Sequence, residues 1–256
     1  MEPDPEAVPY HRYMVGLRDG YDRMAAVQLS LLWSLGLRER HTFCDVGCGS
    51  LRAGRLLIPY LEPGNYHGIE PNTRLVEAAT EHEIGSELIA LRNAHFDYGD
   101  DFGIDRFGVE FDFILAQSIF SHTYRDLTRQ GLRKIAGSLA PDGLFVGTFF
   151  EKAPILMPQG ERAGGDDGSG WRPTGSGVVY TWREWTGLLD EAGLEARRVR
   201  WFHVRQTWFV ATHKGNGALL SEALHSSRTR LRGPGVLGHA RRRVLARLGR
   251  LGRRSS

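Results

Sequence analysis

From residue 41 onward, short apolar runs alternate with stretches whose apolar residues recur every three or four positions. The first run, "TFCDV" (42–46), reads as a buried strand, and a glycine turn follows it. "RAGRLLIPYL" (52–61) reads as a helix that Pro59 kinks or ends. After the turn residues "EPGN" (62–65), "YHGIEP" (66–71) gives a second strand. "NTRLVEAATEHEI" (72–84) gives a second helix, opened by Asn72 as its cap. A short strand near His95–Tyr98 precedes an irregular acidic loop, and "FDFILAQ" (111–117) is a buried strand. Leu127, Leu132, Ile135 and Leu139 mark one face of a helix over 124–140. "PDG" (141–143) is a turn and "LFVGTFF" (144–150) the next strand.

The glycine-dense stretch 160–177 reads as a long loop. "TWREWTGLLDEAG" (181–193) is a capped helix ending in glycine, and 194–213 reads as two antiparallel strands about a tight bend. Ahead of all this, Met24, Val27, Leu31 and Leu35 lie on one face of a helix over 20–37, placed to pack on the sheet or cover a site. Alternation of strand and helix with a terminal hairpin predicts an α/β, doubly wound sheet, mostly parallel with an antiparallel edge. Three parts follow: an N-terminal helical cap (1–40), the α/β domain (41–214) and a C-terminal tail (215–256).

Composition changes this picture in two places. The 256 residues, 41% hydrophobic, suit one sizeable core. No window reaches the roughly 18 unbroken apolar residues of a membrane span. The acidic, proline-bearing start lacks the pattern of a secretory signal, which points to the cytoplasm. The two cysteines, Cys44 and Cys48, both fall in the first strand and its turn, and read as a small buried residue and a turn residue, with no metal set around them. Charge is uneven. Residues 219–256 carry ten arginines against the single acid Glu222, a basic tail on an otherwise acidic chain.

The stretch "DVGCGSLRAG" places Asp45 just before the glycine turn Gly47-Cys48-Gly49. Such a turn, at the carboxyl edge of the first strand, is where these sheets bind ligands. A dinucleotide fits poorly, because G-x-G-x-x-G would need glycine where Arg52 stands, and Asp45 would repel a pyrophosphate. A cationic, phosphate-free ligand suits the carboxylate, and S-adenosylmethionine has that chemistry. Glu70, at the end of the second strand, can accept from both ribose hydroxyls.

"DVGCGS" followed by "YHGIEPN", "EFDFILAQSIF" and "LAPDGLFVGTFF" resembles the class I S-adenosylmethionine-dependent methyltransferases. "GCGSLRAGR", "GIEP" and "AQSIFSH" are similar to those of one bacterial group. The resemblance covers residues 41–213 and implies a Rossmann-like seven-stranded sheet with its last strand antiparallel. It implies S-adenosylmethionine as cofactor and a site of Asp45, Gly47, Cys48, Gly49, Glu70 and Pro71, with Asp97 near the adenine amine. One departure stands out: Leu51 occupies a position where many members carry a third glycine.

Acceptor chemistry in such folds follows the fourth strand, here "AQSIFSHTYRD" (116–126). No N/D-P-P-Y/F sequence occurs there, which argues against methylation of amide or base nitrogens. His122 is the candidate general base, with a backbone-satisfied histidine as the alternative. Gln117 and Ser118 either contact cofactor and acceptor or, for Ser118, cap the next helix. Tyr180, His203 and Gln206 are further acceptor-side candidates. Trp182, Trp185, Trp201 and Trp208 form either core or an aromatic wall for a sugar or flat ring, and Tyr10, His11, Tyr13 and Arg18 lie where an N-terminal lid would close.

The expectation is O-methylation of a small molecule or glycan. The alternatives are an RNA methyltransferase guided by the tail, or a non-catalytic scaffold of the same fold. The tail's Val244, Leu245, Leu248 and Leu251 would share one side of a helix, suited to peripheral contact with an anionic inner-membrane surface. Phosphate gripping on nucleic acid and a solvated chain are the other options.

Overall fold

The computed structural model describes residues 9–15, 20–152 and 178–231. Eight strands form one sheet: β1 (Phe43–Val46), β2 (Tyr66–Ile69), β3 (His95–Asp97), β4 (Phe111–Ala116), β5 (Leu139–Glu151), β6 (Val179–Tyr180), β7 (Leu194–Val199) and β8 (Thr207–His213). The order is β3-β2-β1-β4-β5-β8-β7, with β6 paired to β5 off this path. Only β8 runs antiparallel to its neighbours. This is the Rossmann-like arrangement expected, with one short extra strand. Chain order reverses at β1, between β2 and β4, so the crevice for a ligand opens at its carboxyl end.

Helices cover both faces, and the strands divide their residues between two cores by simple alternation. Phe43, Phe113, Leu115 and Val146 meet α2 (Tyr21–Leu35), α3 (Gly54–Tyr60), α4 (Thr73–Ala79) and α8 (Gly217–Leu231) through Leu31, Leu57, Val76 and Leu220. Cys44, Ile114, Phe145 and Phe209 meet α6 (Arg125–Ser138) and α7 (Trp182–Glu191) through Leu132, Ile135, Leu188 and Leu189. Burial on both faces explains why these strands read as continuous apolar runs. Two short helices complete the described set: α1 (Tyr10–Met14), and α5 (Ser86–Leu91), which follows a π-helical turn over Thr80–Ile84.

The local signals succeed where a side chain closes its own bond. Thr181 and Glu184 form a reciprocal capping box at the start of α7, and Gly193 (φ +83°) ends that segment in the left-handed region. α3 stops one residue after Pro59. Asn72 stands at the start of α4 but makes no side-chain cap bond; its backbone N–H instead donates to Glu70 Oε1 (3.0 Å). "PDG" is no free turn, because β5 begins at Leu139 and carries it through a register irregularity opposite Phe111–Phe113. A Cβ on Gly143 there would come within 2.7 Å of the Phe111 carbonyl oxygen. The bend between β7 and β8 is a loop over 200–206 rather than a tight turn. The region assigned to the tail begins as α8, whose Leu220 and Ala223 are buried in the core shared with α2. The expected loop at 160–177 and the tail beyond 231 lie outside the described residues.

Candidate active site

The crevice at β1 opens into a cavity of about 540 Å³, within the roughly 300–1,000 Å³ of small-molecule sites. Its floor is the glycine turn. Gly47 (φ +70°) and Gly49 (φ +56°) take left-handed conformations that glycine adopts without penalty. A Cβ on Gly47 would collide with Ile119 Cδ1, at 2.0 Å, and one on Gly49 with Val15 Cγ1, at 2.7 Å. Leu51 takes a left-handed conformation (φ +53°) of its own and sends its side chain into the core, away from the cavity.

Glu70 staples this turn in place. Its Oε2 accepts the Gly49 N–H (2.9 Å) while Oε1 accepts the Asn72 N–H, so one carboxylate ties the β1 turn to the start of α4. Each oxygen retains capacity for a further donor. Burial raises the Glu70 pKa, and the two backbone donors hold it down. Asp45 is only 4% exposed, yet it lines the cavity. Burial pushes its carboxyl up to about 7; the Tyr66 hydroxyl, donating to Oδ2 (3.2 Å), and the Arg52 charge oppose the shift, and Glu70 adds to it. Arg52 also lines the cavity and donates through Nε to Gln28 Oε1 (3.2 Å) and through Nη1 to the Val15 carbonyl. α2 and the chain before it are thereby tied to the turn.

The opposite wall is a network of side chains. Ser118 has φ +64°, and its N–H donates to Thr148 Oγ1 (2.9 Å). Both the Ser118 and the Thr148 hydroxyls donate to Gln206 Oε1. His203 Nδ1 accepts the backbone N–H of Arg205 (3.1 Å) and of Gln206 (2.9 Å), which leaves its proton on Nε2. That Nε2 faces the Gln117 amide at 3.3 Å. The amide orientation that satisfies both groups turns Oε1, which otherwise has no partner, to the imidazole N–H. Burial, with the charges of Arg52 and Arg205, pushes the His203 pKa down to about 4, so the ring is neutral. His122 lines the same cavity, and burial lowers its pKa too.

Asp45, Gly47, Cys48, Gly49, Glu70, Gln117, Ser118 and His122 therefore share one cavity with His203 and Gln206. Two residues of the expected cofactor set lie outside it. Pro71 is exposed, and Asp97 is engaged by Arg106 Nε (2.8 Å) and Nη2 (2.6 Å) and by the Gly99 N–H (2.9 Å). Ser118 caps no helix, since α6 starts only at Arg125. Tyr180 is buried in the core behind the site. The tryptophans build no wall: Trp185 and Trp208 are core, Trp201 donates to the Val27 carbonyl (3.0 Å), Trp182 lies under the Arg198 guanidinium, and none lines the cavity. At the N-terminus, Met14 and Val15 reach the cavity while His11 and Arg12 bond Glu83 on the π-helical turn. Tyr10 and Tyr13 are exposed, and Arg18 lies outside the described residues. Sequence reading missed Arg23, Gln28, Arg52 and Arg205 as cavity residues. For Arg52 a signal existed: an arginine at the glycine position of a phosphate loop has to point somewhere.

Burial pushes both cysteine thiols well up, which keeps them protonated. Among the described residues no group of three or more His, Cys, Asp or Glu side chains is placed to hold a metal, and no helix is long and apolar enough to cross a membrane.

The methyltransferase-domain family matches residues 44–145, which hold the glycine turn, Glu70 and His122. No curated protein matches the chain in sequence. Among solved structures, the chain is similar to magnesium protoporphyrin IX methyltransferase from Synechocystis with bound S-adenosylhomocysteine. The TM-score is 0.55 at 15% identity, over 77% of this chain and 85% of that one. The CcbJ methyltransferase of Streptomyces caelestis gives a TM-score of 0.55 at 18% identity, over 78% and 91%. The complex of DhpI with S-adenosylhomocysteine gives 0.55 at 14%, over 79% and 90%. The fold is thus the α/β Rossmann-like fold of these methyltransferases.

Proposed function

We propose that the chain is an S-adenosylmethionine-dependent methyltransferase that transfers the methyl group to an oxygen of a small-molecule acceptor. The observation that carries this reading is the Asp45 carboxylate, buried at the floor of the cavity beside a glycine turn that lines it. A buried carboxylate pushed up to about 7 is one that a cation would re-ionise. The match of the family to residues 44–145 and the likeness to methyltransferases with S-adenosylhomocysteine bound support the same cofactor.

The residues fit the group. Asp45 meets the α-ammonium, Arg52 beside it meets the α-carboxylate, and Glu70 accepts from the ribose hydroxyls with the capacity its backbone bonds leave. Held there, S-adenosylmethionine would supply a methyl carbon activated by its sulfonium for in-line transfer to the acceptor oxygen. His122, neutral through burial, takes the acceptor hydroxyl's proton. Gln117, oriented by His203, and Ser118, oriented by Thr148 and Gln206, position the reactants between the two walls.

Calorimetric titration of S-adenosylmethionine and S-adenosylhomocysteine into wild-type and Asp45→Ala protein tests the reading. Micromolar binding by the wild type, weakened about a hundredfold in the variant, is expected. A folded wild-type protein that binds neither compound overturns it.

A further inference from the structure

The cavity's charges are divided. Its lining acids, Asp45 and Glu70, both sit at the glycine turn. Arg23 on α2 and Arg205 on the β7–β8 loop line the other part of the same cavity. Neither forms an ion pair among the described residues. The Arg23 guanidinium lies over the Phe202 ring at 5.0 Å, which brings α2 against the loop that carries Arg205. The Arg205 backbone N–H donates to His203 Nδ1 (3.1 Å), which holds this loop against the wall opposite the glycine turn. Two guanidiniums that line one cavity, neither in an ion pair among the described residues, offer planar, multi-donor recognition of an oxyanion.

We infer that the methyl acceptor is an organic acid, whose anionic group is held by Arg23 and Arg205 while its hydroxyl meets His122. The inference rests on the methyltransferase reading and adds the substrate's charge to it. Met14, Ile119 and Val204, which also line the cavity, supply apolar contact for the body that joins the acid to the hydroxyl. Arg52 is assigned to the cofactor's own carboxylate, because it sits with Asp45; the acceptor pair sits with the β7–β8 loop.

The test uses full-length protein saturated with S-adenosylhomocysteine and a panel of hydroxylated carboxylic acids, each matched with its neutral amide. Ligand-observed NMR reads binding of each member to wild type and to the double variant Arg23→Gln, Arg205→Gln. Acids should bind wild type in preference to their amides, and the double variant should lose about tenfold or more in acid affinity. Its affinity for S-adenosylhomocysteine should stay within about twofold of wild type, which also shows that the variant is folded. Amides binding as well as acids, an acid preference that survives the substitutions, or no acid in the panel binding the loaded protein would each overturn the inference. Failure of S-adenosylhomocysteine to bind wild type would instead overturn the methyltransferase reading beneath it.

Discussion

The two walls of the cavity are made in different ways. The cofactor wall is built by backbone: the carboxyl ends of β1 and β2, adjacent in a parallel register that sets Asp45 beside Gly68, and a turn whose glycines hold φ near +60°. The opposite wall is built by side chains from the β4–α6 connection, β5 and the β7–β8 loop. It is held by bonds such as that from Ser118 to Gln206, 88 positions apart. Backbone geometry leaves marks in a sequence, because a glycine or an acid must recur at a set place. A side-chain network leaves none, because many pairs of polar residues can make it.

The largest expected effect lies on the second wall. His122→Ala should lower kcat by about 10²- to 10⁴-fold, the usual worth of a positioned base. Affinity for S-adenosylhomocysteine should remain within about twofold, since His122 makes no bond to the cofactor wall. Burial lowers the His122 pKa, so wild-type activity should persist to a pH below the ordinary histidine value of about 6.5. Unchanged turnover in the variant would show that the acceptor deprotonates without His122.

The next effect belongs to the first wall and is read in stability. The Asp45 carboxyl titrates near 3.8 in the unfolded chain and near 7 in the ligand-free fold. The folded protein therefore binds the proton more tightly. The stabilisation is fully present below pH 4 and is lost as pH rises through 7, by roughly 4 kcal/mol for this group. Chemical denaturation of ligand-free protein across that window should show the decline, and Asp45→Asn should remove most of it. The smaller slope that remains comes from Glu70, whose pKa is raised in the same direction. Cofactor binding at pH 6 should release a proton as the α-ammonium ionises Asp45, seen as a buffer-dependent binding enthalpy in wild type and absent in the variant. A flat stability profile would mean that Asp45 is solvated in the free protein.

What was legible follows the same division. The mostly parallel, doubly wound sheet and its antiparallel last strand were readable because both faces of the strands are buried and because helices intervene at regular intervals. Asp45 and Glu70 stood out in the sequence because each lies at the carboxyl end of a strand, Asp45 one residue inside the end of β1 and Glu70 one residue past β2. The short β6 gave no signal, being two residues long. Nor did α5, whose sequence "SELIAL" buries no residue and so shows no face. Asp97 lies on the short strand read for it, but the sequence did not announce its partner: Arg106, nine positions later, bonds both of its oxygens. That pairing depends on the 3₁₀ turn at Ile104–Phe107, which no local pattern announces. Arg23 and Arg205 were invisible as a pair, because only the packing of α2 on the β7–β8 loop brings them together.

The smallest effect asks whether the first wall is as purely backbone-built as it looks. An asparagine at a helix start ordinarily contributes about 1 kcal/mol through its side chain. Here the Asn72 side chain makes no cap bond, and the residue serves through its N–H, held by Glu70. Asn72→Ala keeps that N–H, so it should cost less than about 0.5 kcal/mol in chemical denaturation and leave cofactor affinity unaltered. Thr181→Ala, which breaks a complete capping box at the start of α7, should cost about 1 kcal/mol in the same measurement. Equal losses at the two sites would show that the Asn72 side chain carries a bond in solution. The staple between the glycine turn and α4 would then depend on side-chain identity at 72 as well as on Glu70.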